Sequence, residues 1–345
     1  MCQDPLALAI LGTTASGKSD AAIAIAKKYD GEVISCDSRQ VYRGMDIGTG
    51  KIARDFPGIS NSQFPISNHA FLSEGIPHHL LDVVSPRTEF NAAKFVKKAN
   101  KALHSILKQN KLPILCGGTG FWAQALIESL DFPGIAPDKA LRKKLEKYSL
   151  KKLQEMLRKL DPKRYETVDA KNRVRLVRAI EIVQKESDKQ TQVTRDKKEH
   201  SLSRVTCHMS QKKSHVTCHM SQNESPTTWS IIAISPPQDI LEKNIEERLD
   251  TRLKQGMFDE VWRLHHENRV PWNRLEGFGL EYRWVSRYLR RKADFDTMRE
   301  RILIESRQYA KRQRTWLRRW ERQGRKIAWV KSREEAIRKA RTLLG

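Results

Sequence analysis

Short unbroken apolar runs alternate along the chain with stretches whose apolar positions recur at helical spacing. Leu6–Leu11 is the first run, and it leads through a glycine-containing loop into Asp20–Tyr29, where Ala and Ile recur as on one side of a helix. Glu32–Ser38 predicts a second strand ending in polar residues, and Lys111–Gly120 a third broken by glycines. Thr227–Ser235 and Lys326–Val330 are the fourth and fifth candidates, and Ala92–Lys108 is a helical pattern lying between strands. Strands alternating with helices imply an α/β fold: a parallel sheet with helices on both faces.

The alternation lapses in the middle. From Asp138 to about Lys198 the pattern is wholly helical and strongly charged, which predicts a helical domain inserted between the third and fourth strands. From Asp239 to Gly345 most of the chain is again helical and dense in Arg. The expected organisation is therefore a first part of the core over 1–120, a helical insertion over 121–200, a low-complexity loop over 201–226, and a return to the sheet with Arg-rich helices over 227–345. The loop holds VTCHMSQ twice, at Val205–Gln211 and Val216–Gln222. Its Cys-His pairs (Cys207, His208, Cys218, His219) are adjacent, unlike the spaced ligands of structural zinc, so a surface loop from a local duplication is expected and no zinc site.

Composition narrows the class. The 345 residues are 39% hydrophobic and 31% charged, enough to bury a sizeable core. The longest apolar runs, Leu6–Leu11 and Ile231–Ile234, fall far short of the ~20 residues of a spanning helix. No basic n-region with a cleavage site opens the chain, so a cytoplasmic protein is expected. The five cysteines are scattered, which argues against a disulfide framework; Cys36 and Cys116 follow apolar runs and read as small core residues. Lys and Arg number 65 against 41 Asp and Glu, a formal charge of +24. So large an excess implies a polyanionic partner, most simply nucleic acid, and no segment has the basic face and continuous apolar stripe of a membrane-surface helix.

The chemistry begins where the first strand ends. Gly12-Thr13-Thr14-Ala15-Ser16-Gly17-Lys18-Ser19 fits the phosphate-binding loop (P-loop) pattern, in the strand-then-helix context that pattern needs. Backbone N–H groups and the helix N-terminus then face phosphates, Lys18 adds a point charge, and the Ser19 hydroxyl can ligate Mg²⁺. In a parallel sheet the carboxyl ends of neighbouring strands share one crevice, so Asp37 is expected at the P-loop mouth as a metal ligand, a general base or a helix cap. Gly117-Gly118-Thr119-Gly120 reaches the same rim, where glycines admit close backbone approach or make a tight turn.

These motifs form an ordered series. The P-loop is followed by Asp37-Ser38-Arg39-Gln40-Val41-Tyr42 with Gly44–Thr49, by Gly75-Ile76-Pro77-His78-His79-Leu80-Leu81-Asp82, and by Gly117-Gly118-Thr119. Asn172–Ala179 and Tyr309–Arg318 complete it. The series, from about Leu6 to Trp320, resembles the bacterial tRNA dimethylallyltransferases (tRNA isopentenyltransferases). That resemblance implies a P-loop fold and a transferase using dimethylallyl diphosphate, Mg²⁺ and the anticodon stem-loop of tRNA. The products would be N6-isopentenyladenosine on the 3′ side of the anticodon, and pyrophosphate. It implies Asp37 as the base, with Thr14 and Arg248 also at the reacting substrate. It further implies tRNA contacts at Asp37, Ser38, Arg39, Gln40, Thr119 and Arg142, at Val174, Arg175, Leu176, Val177 and Arg178, and at Lys311, Arg312, Gln313, Arg314, Thr315, Trp316, Leu317 and Arg318. Gly277-Phe278-Gly279-Leu280-Glu281-Tyr282-Arg283 matches a tRNA-contacting turn of the family only loosely, and the VTCHMSQ repeat has no counterpart in it. A monomer is expected. The rival readings are an ATP-using nucleotide or small-molecule kinase, which shares the P-loop, and a non-catalytic ATP-dependent RNA-binding module.

Overall fold

The computed structural model describes residues 6–55, 71–130, 132, 134–202 and 227–345. The chain divides into two compact units, Met1–Leu130 with Asn223–Gly345, and Asp131–Gln222. The repeats at 205–211 and 216–222 lie outside the described residues.

The first unit is built on β1 (Leu6–Gly12), α1 (Lys18–Lys28), β2 (Gly31–Ser35), β3 (Phe71–Ser73), β4 (Ile76–His79), α2 (Ala92–Lys108), β5 (Leu112–Gly117) and α3 (Gly120–Ile127). It resumes with β6 (Thr228–Ile234). After β6 come α8 (Gln238–Lys254), α9 (Met257–His266), α10 (Trp272–Phe278), α11 (Leu280–Leu289), α12 (Phe295–Arg322), β7 (Ala328–Val330) and α13 (Arg333–Leu344). The second unit holds the intervening helices α4 (Lys139–Leu145), α5 (Leu150–Leu160), α6 (Pro162–Thr167) and α7 (Arg173–Leu202).

The strands form one seven-stranded sheet in the order β3-β4-β2-β5-β1-β6-β7. Every neighbouring pair is parallel except the edge hairpin β3–β4. β1 lies near the centre, and residues 7–11 are at most 2% exposed, which is why its apolar run has no gaps. Leu8, Ile10, Val33, Ile114, Ile232 and Ile234 form a core on one face with Ala22 and Ile25 of α1 and Ala336 and Ala340 of α13. Alternation along the strands turns the neighbouring residues to the other face.

All five expected strands are present. The short pair β3–β4 was not expected, because its residues carry little apolar pattern: β4 reads IPHH, and His79 is buried by pairing Nε2 with Glu32 Oε2 at 2.7 Å. The sheet is thus mixed at one edge. Helix α3, which an insertion starting at 121 would include, lies with the sheet unit, and Trp122 stacks on Phe95 of α2 at 4.7 Å.

In the second unit, α4, α5 and α7 meet around Leu145, Leu153, Leu157, Leu176, Ile180 and Val183. Its helices start on side-chain caps: the Asp138, Ser149 and Asp161 side chains accept from Leu141, Lys152 and Arg164 N–H groups.

Candidate functional site

The loop between β1 and α1 is shaped by two close approaches. A Cβ on Gly12 would stand 2.4 Å from the Ile234 carbonyl oxygen, so β6 can lie directly against the start of the loop. Gly17 has φ of +75° and turns the chain into α1. The Lys18 ammonium donates to the Thr13 carbonyl at 3.0 Å and keeps two further protons. Burial lowers its pKa, with Arg248 and Arg252 adding to the effect and Cys116 and Asp37 opposing it. The Thr13 and Ser16 hydroxyls are buried, with no hydrogen-bond partner among the described residues.

The loop is braced from helices far along the chain. Gln313 of α12 accepts from the Thr14 N–H at 2.7 Å and donates to the Gly118 carbonyl at 2.9 Å. The Asn244 amide of α8 donates to the Ala15 carbonyl at 3.2 Å. One glutamine thus joins the P-loop to the glycine turn after β5.

That turn meets the end of β2. A Cβ on Gly117 would fall 2.1 Å from the Cys36 carbonyl oxygen, one on Gly118 2.2 Å from Gln313 Nε2, and one on Gly120 2.2 Å from the Trp316 ring. These glycines answer to packing as well as to the turn. Thr119 N–H donates to the Cys36 carbonyl at 3.2 Å, and its hydroxyl accepts from Ser38 N–H at 3.0 Å. Asp37 Oδ1 accepts from Arg39 N–H at 2.8 Å, which orients the carboxylate. The two thiols nearby are inert: burial pushes the Cys36 thiol well up and Cys116 to about 11.

Asp37 and the P-loop open into one cavity of about 340 Å³, lined also by Ser19, Ser35, Gln40, His78 and Arg248. Burial lowers the pKa of Arg248 to about 9, Arg252 adds to this, and Glu281, Asp37 and Tyr309 oppose it. His78 Nδ1–H donates to the Ile76 carbonyl at 2.9 Å, and burial lowers the ring's pKa to about 4, so it is neutral at physiological pH.

A third wall is the segment 49–52, which residues 44–48 lead into. The Glu260 carboxylate of α9 accepts from the N–H groups of Asp46, Ile47 and Gly48 at 2.8, 2.7 and 3.1 Å, and from the Tyr282 hydroxyl at 2.7 Å. Lys51 donates to the Tyr42 carbonyl, Asp46 and Asp82, and Gln40 Nε2 to the Gly50 carbonyl at 3.2 Å. Arg252 and Glu281 form a buried ion pair behind Gly50.

The structure therefore brings Gly12–Ser19, Asp37–Gln40, Thr119 and Arg248 of the expected residues to one rim. Lys311, Arg312, Arg314, Thr315, Trp316 and Arg318 lie on α12 of the same unit. Leu317 and Leu176, expected among the tRNA contacts, are instead core residues 3% and 0% exposed, and Gln313 at 8% serves the P-loop backbone. Their side chains alternate with exposed neighbours because a helix cannot turn consecutive residues to one face. Arg142, Val174, Arg175, Val177 and Arg178 belong to the helical unit. There Val174 is 77% exposed, while Arg142 and Arg178 both bond Glu181, at 2.9 and 2.6 Å.

Sequence reasoning missed Gln313 as a loop brace, Glu260, Arg252 and Tyr309. Gln313 carried a signal, being a polar residue on the buried stripe of Ala310, Leu317 and Trp320. Burial first, then Asp37, raises the Tyr309 phenol pKa, while Arg39 and a hydrogen bond with Thr119 oppose the shift.

Comparison with known proteins decides the family. The IPP transferase family pattern matches residues 40–320, and an isopentenyl transferase pattern matches 6–58. The chain belongs to the IPP transferase family. A tRNA dimethylallyltransferase 1 from Syntrophus aciditrophicus is 36% identical to this family member over 93% of this chain and 92% of its own. One from Geotalea uraniireducens is 33% identical over 98% and 96%. Among solved structures, the tRNA isopentenylpyrophosphate transferase of Bacillus halodurans aligns over 99% of this chain and 96% of its own, with 27% identity and a TM-score of 0.62.

Proposed function

We propose that this family member is a tRNA dimethylallyltransferase, moving a dimethylallyl group from its diphosphate to N6 of the adenine on the 3′ side of the anticodon. One observation carries the reading: an anion-binding loop with Lys18 and a carboxylate, Asp37, open into the same cavity. Family membership and the names of its relatives support it, and nothing specific favours a kinase.

The target adenine is unstacked into the cavity, since a stacked base cannot present its amine. The N6 nitrogen attacks the carbon bearing the diphosphate; the C–N bond forms as the C–O bond breaks, and diphosphate departs. The amine is a weak nucleophile that must lose a proton, and Asp37 accepts it. The Arg39 N–H at 2.8 Å holds one carboxylate oxygen and leaves the other for this work. Negative charge grows on the departing oxygens, where the loop N–H groups, Lys18 and Arg248 stabilise it, and Thr14 contacts the substrate.

The donor set suits Mg²⁺: the lining offers hard oxygens on Ser16, Ser19, Ser35 and Asp37, with the Ser19 hydroxyl at the start of α1 and the buried Ser16 hydroxyl without a partner among the described residues. Ser19 would hold the ion, which supplies charge neutralisation at the diphosphate. Ser38, Arg39, Gln40 and Thr119 at the rim, the α12 cations, and Arg175 and Arg178 with Val174 and Val177 are the proposed tRNA contacts. The enzyme is taken to act as a cytoplasmic monomer; among the described residues no helix is long and apolar enough to cross a membrane.

The test is direct. Purified protein with Mg²⁺, labelled dimethylallyl diphosphate and unmodified tRNA should place label in tRNA and release pyrophosphate. ATP turnover with no label in tRNA would overturn the proposal in favour of a kinase.

A further inference from the structure

Helix α9 presents two sets of side chains. Met257, Val261 and Leu264 turn inward and are at most 1% exposed, as an amphipathic helix requires. Phe258, Trp262 and His266, spaced i, i+4 and i+8, form a separate aromatic stripe, and Trp262 is 48% exposed. The rings continue off the helix. Trp262 stacks on His266 at 4.4 Å and 17°, His266 meets His265 edge-on at 4.8 Å, and His265 stacks on Trp272 at 3.9 Å. Arg290 of α11 lies over Trp272 at 5.7 Å.

The core does not need this run of rings at the surface, and a contiguous exposed aromatic patch marks a contact site. Its surroundings are cationic. Arg263 and Arg269 flank it on α9 and the turn beyond, and Arg291 and Lys292 follow Arg290; all four are exposed, with no side-chain ion pair among the described residues. Arg290 itself is paired with Glu276 at 2.8 Å, as Arg283, Arg287 and Arg299 are held by carboxylates, so the four exposed cations are the ones left for a partner.

The patch is tied to the reacting rim through the packing of α10. Trp272 opens α10, and two residues on Arg274 donates to the Tyr42 hydroxyl at 3.2 Å and to the Pro86 and Thr88 carbonyls at 3.0 and 2.9 Å. Arg274 lies over the Phe278 ring at 4.7 Å, and Arg39, two residues from Asp37, lies over the same ring at 5.4 Å. The segment leaving Asp37 is therefore packed on the helix that carries the ring stack outward.

We propose that the outer face of α9–α11, centred on Trp262, His266 and Trp272, is an RNA-docking platform that stacks an unpaired base of the tRNA outside the reaction cavity. Flat rings suit any base, because every base has a π-face, and unpaired arginines beside them suit the phosphates on either side. The inference deepens the tRNA reading above and rests on it. The platform adds grip on the loop whose adenine enters the cavity and takes no part in bond making.

The test uses the full chain with Trp262→Ala, Trp262→Phe, His266→Ala and Arg263→Ala/Arg269→Ala. Dissociation constants for unmodified tRNA are measured at several salt concentrations, beside kcat and KM for prenyl transfer. Trp262→Ala should weaken tRNA binding about tenfold and raise KM for tRNA with kcat held, and Trp262→Phe should restore most of the loss. Removing Arg263 and Arg269 should lower the slope of log affinity against log salt by about one per cation. His266→Ala should repeat the Trp262→Ala result more weakly, which guards against a folding artefact at one position. The platform is overturned if Trp262→Ala and His266→Ala bind tRNA within twofold of a wild type that transfers the prenyl group. It is equally overturned if those variants alter only self-association in sedimentation, which would give the face to a second copy of the chain. A wild type that transfers no prenyl group would instead sink the underlying tRNA reading.

Discussion

The two units are each organised around a buried carboxylate, and the two carboxylates do different work. Glu260 in the sheet unit accepts three backbone N–H groups and the Tyr282 hydroxyl, so it fixes the path of residues 46–48, which lead into the cavity wall at 49–52. Glu181 in the helical unit accepts from Arg142, Arg178 and the Asp138 N–H, so it fixes cationic side chains. Chemistry needs reacting groups held to a fraction of an ångström, which backbone anchoring provides. Phosphate binding tolerates movement and needs cations held near one surface, because counterion release depends on charge more than on exact geometry.

The comparison breaks hardest at Asp37. Asp37→Ala should cost at least ~10²-fold in kcat while tRNA binding persists, as loss of a general base requires. Wild-type turnover in that variant, measured by label transfer, would remove Asp37 from the mechanism. Glu260→Ala leaves three N–H groups without their acceptor and should destabilise the sheet unit by about 3 kcal/mol in urea unfolding. A change under ~1 kcal/mol would mean the 46–48 segment holds its own shape. Gln313→Leu removes the brace between Thr14 and Gly118; KM for the prenyl diphosphate should rise about tenfold, with tRNA affinity little altered.

The helical unit should respond to pH instead. Burial alone would raise the Glu181 carboxyl, but hydrogen bonds from Arg142, Arg178 and the Asp138 N–H more than reverse this and bring it to about 2, against an ordinary 4.5. A carboxylate depressed in the folded state stabilises fully above its unfolded pKa and loses that contribution as pH falls. Acid unfolding followed by circular dichroism should therefore show a component between pH 4.5 and 2 that Glu181→Gln abolishes. An unchanged acid transition would show that the arginine cluster adds nothing to folding. Least affected should be Arg175→Ala, whose exposed side chain pairs weakly with Asp169 at 3.4 Å: a few-fold loss of tRNA affinity and a salt slope lower by about one.

Much of the sheet unit could be read directly from the chain. Helix α2 runs over Ala92–Lys108, where the periodicity put it, and Leu6–Gly12 runs into Gly17 and α1 as the P-loop pattern demands. Strand β4 could not be read, because a buried His79–Glu32 pair replaces the apolar alternation that marks a strand. Among the rim residues, Asp37 and Thr119 were legible from their place after β2 and β5. That the side chains of Leu176 and Leu317 are buried could not be read from the motifs, because a motif matched as a block hides which of its residues face inward.

By itself the sequence determined the local pieces: an apolar strand, a loop of phosphate-binding composition, a helix after it, and an excess of positive charge. These are legible because hydrophobic period and glycine conformation act over a few neighbouring residues. Only the tertiary structure decided what holds those pieces in place. Gln313 meets Thr14 across 299 residues, and Glu260 captures Asp46 across 214. Such pairs leave no mark on local periodicity, because a buried polar side chain is chosen to satisfy whichever backbone group folding brings to it.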